Sequence, residues 1–548
     1  MKKRCMLLAG IILILLSLAG CTSVSNTSMA QKPSVIWEDW KAEGAYADYA
    51  NLHKRFADRT KFVTITVPLD YENPTEGTID VAVLKVEAKN KEERWGSILF
   101  NPGGPGGDGL IYGLLFSYLW SEDYPLSTTG AGTLFQELAE HYDLIGFSPR
   151  GLGASTNLIC SSDALLEPAL ILSADGSEAN LAANQANASA IAEACLANPM
   201  TNHINTEATA RDMDVIREVL GDEKLNFIGI SYGTWLGTWY ASLFPQRVGK
   251  LLLIGQTDIT QPLNGALLVQ EMGMQRVLET KLIPHAATYP HLFHLGFSEA
   301  EVKQNLSSLE GGLKHATMKA LDEHISYSEQ AMLALFTLRS ALVINTLLEN
   351  EPALEEEQLH RLLAQYDWQV DEESSGILLQ KGRMLAEEYY ALKNRQREPV
   401  EVSGSDAVWW AVQSMDTNTL YDRDSWLLQN ALHIKQYPEF GGFYIENPAL
   451  YWDKAPLNRP ATESIPQDAS ILIVQSEYDP YTPLESAVRT FSALEQASMI
   501  VLEGEYQHCI LLPYGNEILD RSVAEFFLEN KQPPRLTLVE GHQLPTYE

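Results

Sequence analysis

The sequence predicts an α/β protein with a mostly parallel, doubly wound sheet and a large inserted helical region. Three observations predict it. Short, almost uniformly apolar strands alternate with helical segments, which is typical of a parallel sheet buried on both faces. Two of these strands run directly into glycine-rich loops, as in doubly wound sheets. From 257 to 455, long helical segments follow one another with no convincing strand between them.

Composition and charge narrow the class of protein. The chain has 548 residues, of which 45% are hydrophobic, enough to bury a sizeable core in one elaborated unit. Its 39 Lys and Arg against 72 Asp and Glu give a net charge of -33. Because such a surface repels phosphate backbones, nucleic acid is excluded as a partner. The charge mainly implies solubility, and attraction of cationic peptides stays open.

The N-terminus has the pattern of an export signal. The residues MKKRCMLLAGIILILLSLAGC combine a basic start, an apolar stretch too short for a comfortable membrane span, and small residues. The end of this stretch, Leu18–Cys21, resembles the bacterial lipoprotein box, which implies that Cys21 is acylated and becomes the mature N-terminus. The alternative is an ordinary signal peptide with a chance cysteine. We expect an extracytoplasmic protein anchored to the bacterial membrane by lipid, followed by a polar tether.

Strand and helix patterns can be followed along the chain. KFVTITVPLDY and TIDVAVLKVEA predict an antiparallel hairpin, and SILFNPGGPGG and YDLIGFSPRGLG predict strands that enter glycine-rich loops. ATARDMDVIREVLG predicts a helix, LNFIGISYG a strand with a tight turn, TWLGTWYASLFPQ a helix and KLLLIG a strand. Strand character returns at SILIVQSEYDP and SMIVLEGEYQH, and EILDRSVAEFFLEN predicts a final helix.

These patterns divide the chain into six segments. The predicted segments are a signal peptide (1–20), a tether and N-terminal segment (21–60), a first part of the core (61–256), a helical cap (257–455), a second part of the core (456–531) and a C-terminal tail (532–548).

The five residues from Gly229 to Gly233 match the nucleophile-elbow pattern G-x-S-x-G, in which glycines relieve crowding in a strained strand-to-helix turn. The motif alone is weak, since chance supplies it in about one chain in five of this length. Here a predicted strand precedes it and a predicted helix follows it, and a helix N-terminus favours developing negative charge. We therefore predict that Ser231 is a nucleophile and that the fold is that of an α/β-hydrolase.

An acyl-transfer serine needs N–H donors where the oxyanion forms. The loop NPGGPGG after the third predicted strand supplies exposed backbone N–H groups. We expect the first donor to be Tyr232 and the second to be Gly104, with Gly103 as the alternative. A phosphate-binding loop would need the ending G-K-[ST], which is absent from this motif.

An acid and a histidine should follow the serine, each at the carboxyl end of a later strand. Asp479 comes directly after the strand ILIVQ, and His508 comes directly after MIVLEG. The rival acid is Asp258, at the end of the strand after the elbow. We expect His508 to take the proton of Ser231 while Asp479 fixes the tautomer of the imidazole.

Five cysteines occur, of which Cys5 is removed with the signal and Cys21 is acylated. Cys160 and Cys195 flank an Ala/Asn-rich segment and predict a disulfide outside the cytoplasm. Cys509 is then unpaired, and a small buried side chain is favoured over a reactive thiol.

Taken together, VPLDYENPTEGTI, NPGGPGG, YDLIGFSPRGLGAS, the region around the elbow and the C-terminal block resemble the tripeptidyl and prolyl aminopeptidase group of α/β-hydrolases. The resemblance implies a helical cap, a TAP-like C-terminal part and a peptide substrate cleaved near its N-terminus. By the same resemblance, a cap acid anchors the substrate's amino group, and Asp416 falls where the group often has such an acid after a cysteine, here Ser414. No cofactor and no metal site is implied.

The chain departs from this group at several positions. Ser148 stands where the group usually has Asp in F-D-P-R-G, and Asp108 follows the oxyanion loop where a small residue is usual. These changes indicate altered specificity and leave the predicted triad intact. An esterase or lactonase with the same triad and a non-catalytic peptide-binding lipoprotein are the two alternative functions. The sequence predicts neither the oligomeric state nor the length of the released peptide.

Overall fold

The computed structural model describes residues 35–128, 130–418 and 421–547. The predicted signal peptide and Cys21 lie outside the described residues. The strands are β1 (Glu38–Asp39), β2 (Thr60–Pro68), β3 (Thr78–Val86), β4 (Gly96–Asn101), β5 (Tyr142–Phe147), β6 (Ile159–Leu166), β7 (Leu225–Ile230), β8 (Val248–Ile254), β9 (Glu398–Ser403), β10 (Ser470–Ser476), β11 (Ser498–Glu503) and β12 (Leu536–Glu540).

Ten of these strands form one sheet in the order β1-β2-β3-β5-β4-β7-β8-β10-β11-β12. The pairs from β1 to β3 and the β3–β5 pair are antiparallel, and all pairs from β5 to β12 are parallel. The predicted hairpin is the β2–β3 pair. The carboxyl ends of β7, β10 and β11 therefore meet at one edge of the sheet, where Ser231, Asp479 and His508 follow them.

Helices cover both faces of the sheet. The helices packed on the core or next to it are α1 (Ala50–Phe56), α2 (Tyr112–Leu119), α3 (Thr133–His141), α4 (Glu178–Leu196), α5 (Thr206–Leu220), α6 (Tyr232–Leu243), α17 (Leu484–Ala493) and α18 (Glu517–Glu529). Leu251 of β8 packs with α5 and α6 on one face, and Leu252 packs with α2 and α18 on the other. Burial on both faces is why the strands are apolar throughout. The predicted fold class is confirmed.

The inserted region is built from helices α7 (Ala266–Val277), α8 (Ile283–Thr288), α9 (Pro290–Phe293), α10 (Glu299–Ser307), α11 (Gly311–Ile325), α12 (Ala331–Asn350), α13 (Glu356–Gln365), α14 (Glu372–Asn394), α15 (Ser405–Met415) and α16 (Arg423–Gln436). Most of them bury their apolar side chains in a core of their own. Within the described ranges, Ser328–Asn350 is the one helix that is long and apolar enough to cross a membrane, and 56% of that apolar window is buried inside the protein.

Four strands, β1, β6, β9 and β12, were not predicted from the sequence. The expectation of no strand between 257 and 455 is wrong, because β9 pairs antiparallel with β6 in a separate two-stranded sheet. Of the β9 side chains only Val400 is buried, so the strand carries almost no hydrophobic pattern. Residues 532–548, predicted as a tail, supply β12, which pairs in parallel with β11 at the edge of the main sheet.

Candidate active site

Ser231 occupies the turn between β7 and α6 with φ 58° and ψ −125°, a backbone conformation that a non-glycine residue rarely adopts. Its N–H is bonded at 2.8 Å to the carbonyl of Ile254 at the end of β8. A Cβ on Gly229 would lie 2.3 Å from the carbonyl oxygen of Gly233, so the turn closes only with glycine at this position. The sequence pattern and the geometry together define a strained elbow that presents the serine side chain.

His508 and Asp479 lie together at the same edge of the sheet. The Nδ1 atom of His508 lies 2.8 and 2.9 Å from the two carboxylate oxygens of Asp479. Asp479 is fully buried and also accepts from the N–H groups of Tyr481 and Thr482 at 2.9 and 2.8 Å. Four short contacts thus fix the carboxylate, which in turn orients the imidazole.

The imidazole of His508 lies beside the elbow. A Cβ on Gly255, the residue after Ile254, would be 3.2 Å from both Cε1 and Nδ1 of His508. Ile254 is the residue that holds the N–H of Ser231, so one strand end contacts both the serine and the histidine. With Nδ1 directed at Asp479, Nε2 is the ring nitrogen available to the serine.

Asp258, the alternative acid, pairs with residues other than His508. One of its oxygens pairs with Arg489 at 2.6 Å, and the other accepts from the N–H and hydroxyl of Thr260. Of the two acids weighed from the sequence, the structure places Asp479 beside His508.

The glycine-rich loop packs against the elbow. A Cβ on Gly103 would lie 2.3 Å from the carbonyl oxygen of Ile230 and 3.0 Å from the nitrogen of Tyr232. The N–H of Gly103 donates at 3.0 Å to Oδ1 of Asn101. In the part of the chain that the structure describes, the N–H groups of Gly104 and Tyr232 donate to no other residue. This favours Gly104 over Gly103 as the second donor of an oxyanion hole.

Asp416 does not have the surroundings expected of a substrate anchor. It has no exposed surface, and its carboxylate accepts from the N–H and hydroxyl of Thr206 and from Nε1 of Trp235. Burial raises its pKa to about 7, against the lowering effect of these hydrogen bonds. The Thr206 hydroxyl also lies 2.5 Å from the hydroxyl of Tyr232. Both oxygens of Asp416 are thus occupied behind the elbow, and the structure gives no support to its role in binding an amino group.

A different cap acid, Asp322, is linked to His508 through Tyr481. The hydroxyl of Tyr481 donates at 2.6 Å to Oδ1 of Asp322 on α11, and the ring of Tyr481 packs edge-on against His508 with centroids 5.1 Å apart. The pKa of Asp322 lies above its ordinary value because the side chain is desolvated. The hydrogen bond from Tyr481 and the charge of Lys319 offset only part of this rise. The Asp322 residue is partly exposed.

Two further charged groups belong to the same surroundings. Lys319 lies one helical turn before Asp322, and its ammonium is 4.0 Å from the centre of the Phe443 ring. Desolvation lowers the pKa of Lys319 and raises that of Glu446, whose charge acts on the lysine. Lys319, Asp322 and Glu446 are thus charged cap residues whose charges act on one another, and they were not predicted from the sequence.

The cysteines fall into two groups. Cys160 and Cys195 are joined in a disulfide that ties the start of β6 to the end of α4. Cys509, next to His508, is partly exposed, and burial raises the pKa of its thiol to about 12. Such a thiol carries almost no thiolate near neutral pH. Within the described ranges, no group of three or more His, Cys, Asp or Glu side chains is arranged to hold a metal ion.

Comparisons with known proteins agree with this fold. Residues 96–320 match the family model of the alpha/beta hydrolase fold, and residues 437–537 match that of TAP-like proteins. The chain is 28% identical to a tripeptidyl aminopeptidase of Streptomyces lividans, covering 94% of this chain and 88% of the relative. It is 26% identical to the serine protease Hip1 of Mycobacterium tuberculosis, covering 86% and 85% of the two chains. It is also 26% identical to a carboxylesterase B of Mycobacterium tuberculosis, covering 96% and 95%. The chain is therefore a serine hydrolase with the α/β-hydrolase fold and a TAP-like C-terminal region.

Proposed function

We propose that this chain is an exopeptidase that holds the free amino terminus of a peptide and releases a short N-terminal piece through an acyl-enzyme on Ser231. The observation that carries the proposal is the contact of Asp322 with Tyr481, whose ring packs on His508. A desolvated ammonium needs a carboxylate partner, and a cap acid beside the reacting groups supplies one. The relatives named tripeptidyl aminopeptidase and serine protease Hip1 support peptides as the substrate class.

In the proposed reaction, Nε2 of His508 accepts the hydroxyl proton as the oxygen of Ser231 attacks the scissile carbonyl carbon. Asp479 holds the proton on Nδ1 and stabilises the imidazolium. The oxyanion accepts from the N–H groups of Tyr232 and Gly104. His508 then gives its proton to the leaving amine, and a water activated by the same imidazole hydrolyses the acyl-enzyme.

The position of Asp322 limits the length of the released piece. The ring contact of 5.1 Å, the distance from the ring centre to the hydroxyl oxygen of Tyr481 and the bond of 2.6 Å act in series between His508 and the carboxylate. They keep the carboxylate within about 11 Å of the imidazole, and an extended peptide advances about 3.3 Å per residue. We therefore propose pieces of one to about three residues.

An esterase acting on a substrate without an amino group is the second candidate. The relative named carboxylesterase B favours it, since it covers almost the whole chain at the same level of identity as Hip1. Ester hydrolysis would use Ser231, His508 and Asp479 in the same way. It would make no use of Asp322.

We also propose that the protein works at the outer face of the bacterial membrane. The support is the export signal and the lipoprotein box that ends at Cys21. Two acyl chains on that residue would anchor the protein stably, whereas one chain binds only marginally. The polar stretch after Cys21 would then act as a tether for the hydrolase.

The test uses the full-length protein purified in detergent. A fluorophosphonate should modify Ser231, as located by peptide mass spectrometry. Three substrates are then compared: a peptide arylamide with a free amino terminus, its N-acetylated form with the same leaving amine, and a simple aryl ester. A clear preference for the free amine supports the exopeptidase. Turnover of the ester alone favours the esterase. If the protein is neither labelled nor active on any of the three substrates, it is a peptide-binding protein without catalysis.

A further inference from the structure

The side chains of Asp108 and Ser148 meet in space. Asp108 follows the oxyanion loop, and Ser148 follows β5. In the structure, the hydroxyl of Ser148 donates to Oδ1 of Asp108 at 2.7 Å. The carboxylate and the hydroxyl thus form one contact between the two loops.

The Asp108 carboxylate is held on both of its oxygens. Oδ1 also accepts from the N–H of Leu110 at 3.0 Å, and Oδ2 accepts from the hydroxyl of Tyr46 at 2.6 Å. The Ser148 oxygen accepts in turn from the N–H of Ala154 at 3.2 Å. With its oxygens occupied by protein donors, Asp108 has little capacity to bind a substrate amine.

The two side chains fill one small space. A Cβ on Gly153 would lie 2.5 Å from Oδ2 of Asp108 and 2.6 Å from Oγ of Ser148. The Tyr46 hydroxyl is 3.5 Å from the Ser148 oxygen as well as 2.6 Å from Asp108. A carboxylate carried by either position could therefore accept from Tyr46.

Asp108 lies at the end of the loop that carries the predicted oxyanion donor. The preceding residue, Gly107, donates its N–H to the carbonyl of Gly103 at 3.0 Å, which closes the loop around Gly104. Asn101 holds the start of the loop through the N–H of Gly103. Asn101 and Asp108 thus fix the two ends of the segment that presents the Gly104 N–H.

We propose that Asp108, clamped by Ser148 and Tyr46, is a positioning residue for the oxyanion hole. The donor acts through geometry, since an N–H stabilises the oxyanion only when it points at the place where charge develops. Tyr46 comes from the short helix Gly44–Tyr49, so the clamp also joins the N-terminal segment to the active-site loop.

The experiment measures kcat, KM and inhibition by a peptidyl aldehyde on the full-length protein, with the substrate it turns over fastest. The hemiacetal oxygen of a bound aldehyde occupies the oxyanion hole, so the aldehyde reports on that hole separately from ground-state binding. Asp108→Ala should lower kcat about 10- to 100-fold, weaken the aldehyde by a similar factor and change KM by less than about threefold. Tyr46→Phe removes one hydroxyl and should have the same effect to a smaller extent, so the test survives if Asp108→Ala fails to fold.

Rescue distinguishes positioning from a merely structural role. Asp108→Ser should be impaired, and the double variant Asp108→Ser/Ser148→Asp should recover at least about tenfold in kcat because the carboxylate returns from the other loop. Asp70→Ala is the matched control, since Asp70 also accepts from backbone and side-chain donors in a loop, at Glu72 and Asn73. The proposal is overturned if kcat and aldehyde inhibition of Asp108→Ala and Tyr46→Phe stay near wild type. It is equally overturned if the double variant is no better than Asp108→Ser.

Discussion

The hydroxyl of Tyr481 donates a hydrogen bond of 2.6 Å to the Asp322 carboxylate, which joins a helix of the cap to the loop that follows β10. A second bond of 2.8 Å from the same hydroxyl reaches the carbonyl of Asp322. Because the Tyr481 ring lies against His508, this link sets the position of a cap carboxylate relative to the imidazole. It is the reason that the proposed amino anchor is Asp322.

Asp322→Asn tests that assignment. The substitution keeps an oxygen for Tyr481 but removes the charge that would pair with a substrate ammonium. We expect KM for free-amine peptides to rise about 10- to 100-fold with little change in kcat. This corresponds to the loss of a charge-assisted hydrogen bond of about 1.5–3 kcal/mol. Steady-state kinetics on free and N-acetylated peptides measure it. Glu323→Gln, at the exposed neighbouring residue, should behave as wild type, and an equal effect on acetylated peptides would rule out the anchor.

Asp479→Asn should lower kcat by about 10⁴, because an amide in this place favours the wrong tautomer of His508. KM should change little, since the side chain is buried behind the histidine. The matched control is Asp258→Asn, which alters the other acid that follows a strand near the site. Activity comparable to wild type in Asp479→Asn, or a large loss of kcat in Asp258→Asn, would reverse the assignment of the acid.

Asp416 gives a prediction of stability against pH. Its folded pKa of about 7 lies above the ordinary value of 3.8, so the folded protein binds this proton more tightly than the unfolded chain. The stability that it contributes is complete below about pH 4 and is lost as pH rises through about 7. The Tm of the wild-type protein should therefore fall between pH 5 and pH 8. In Asp416→Asn this fall should be smaller. Identical slopes for the two proteins would contradict the raised pKa.

Lipid anchoring predicts that Cys21→Ala moves the protein from the membrane fraction to the soluble fraction and abolishes incorporation of labelled palmitate. Cys5→Ala is the control, because Cys5 precedes the lipoprotein box. It should keep both the label and the membrane association. Membrane retention of Cys21→Ala would indicate an anchor other than the acylated cysteine.

The order of strands and loops made the central site predictable from the sequence. Ser231, Asp479 and His508 each follow an apolar strand, and the carboxyl ends of parallel strands meet at one edge of a sheet, so their proximity could be inferred without coordinates. The glycine-rich loop was found for the same reason. The Gly103 N–H donates to the side chain of Asn101, which favours the Gly104 N–H as the second donor of the oxyanion hole.

The cap acids could not be found in this way. An acid on a helix has the same sequence pattern whether it faces solvent or contacts another part of the protein, and Asp322 carries no motif of its own. Asp416 appeared suitable because of its place in the chain, yet burial against Thr206 and Trp235 gives it another set of partners. Strand β9 was missed because its exposed Glu398 and Glu401 hide the alternation on which strand prediction depends.

The most direct test of the exopeptidase is the pattern of fragments from one unlabelled ten-residue peptide, supplied with a free and with an acetylated N-terminus and followed by mass spectrometry. We expect that only the free peptide is cut and that the first products are N-terminal pieces of one to about three residues. Inactive Ser231→Ala should leave both peptides intact. Cleavage of the acetylated peptide at a comparable rate, or cleavage first at internal bonds far from the N-terminus, would contradict the account.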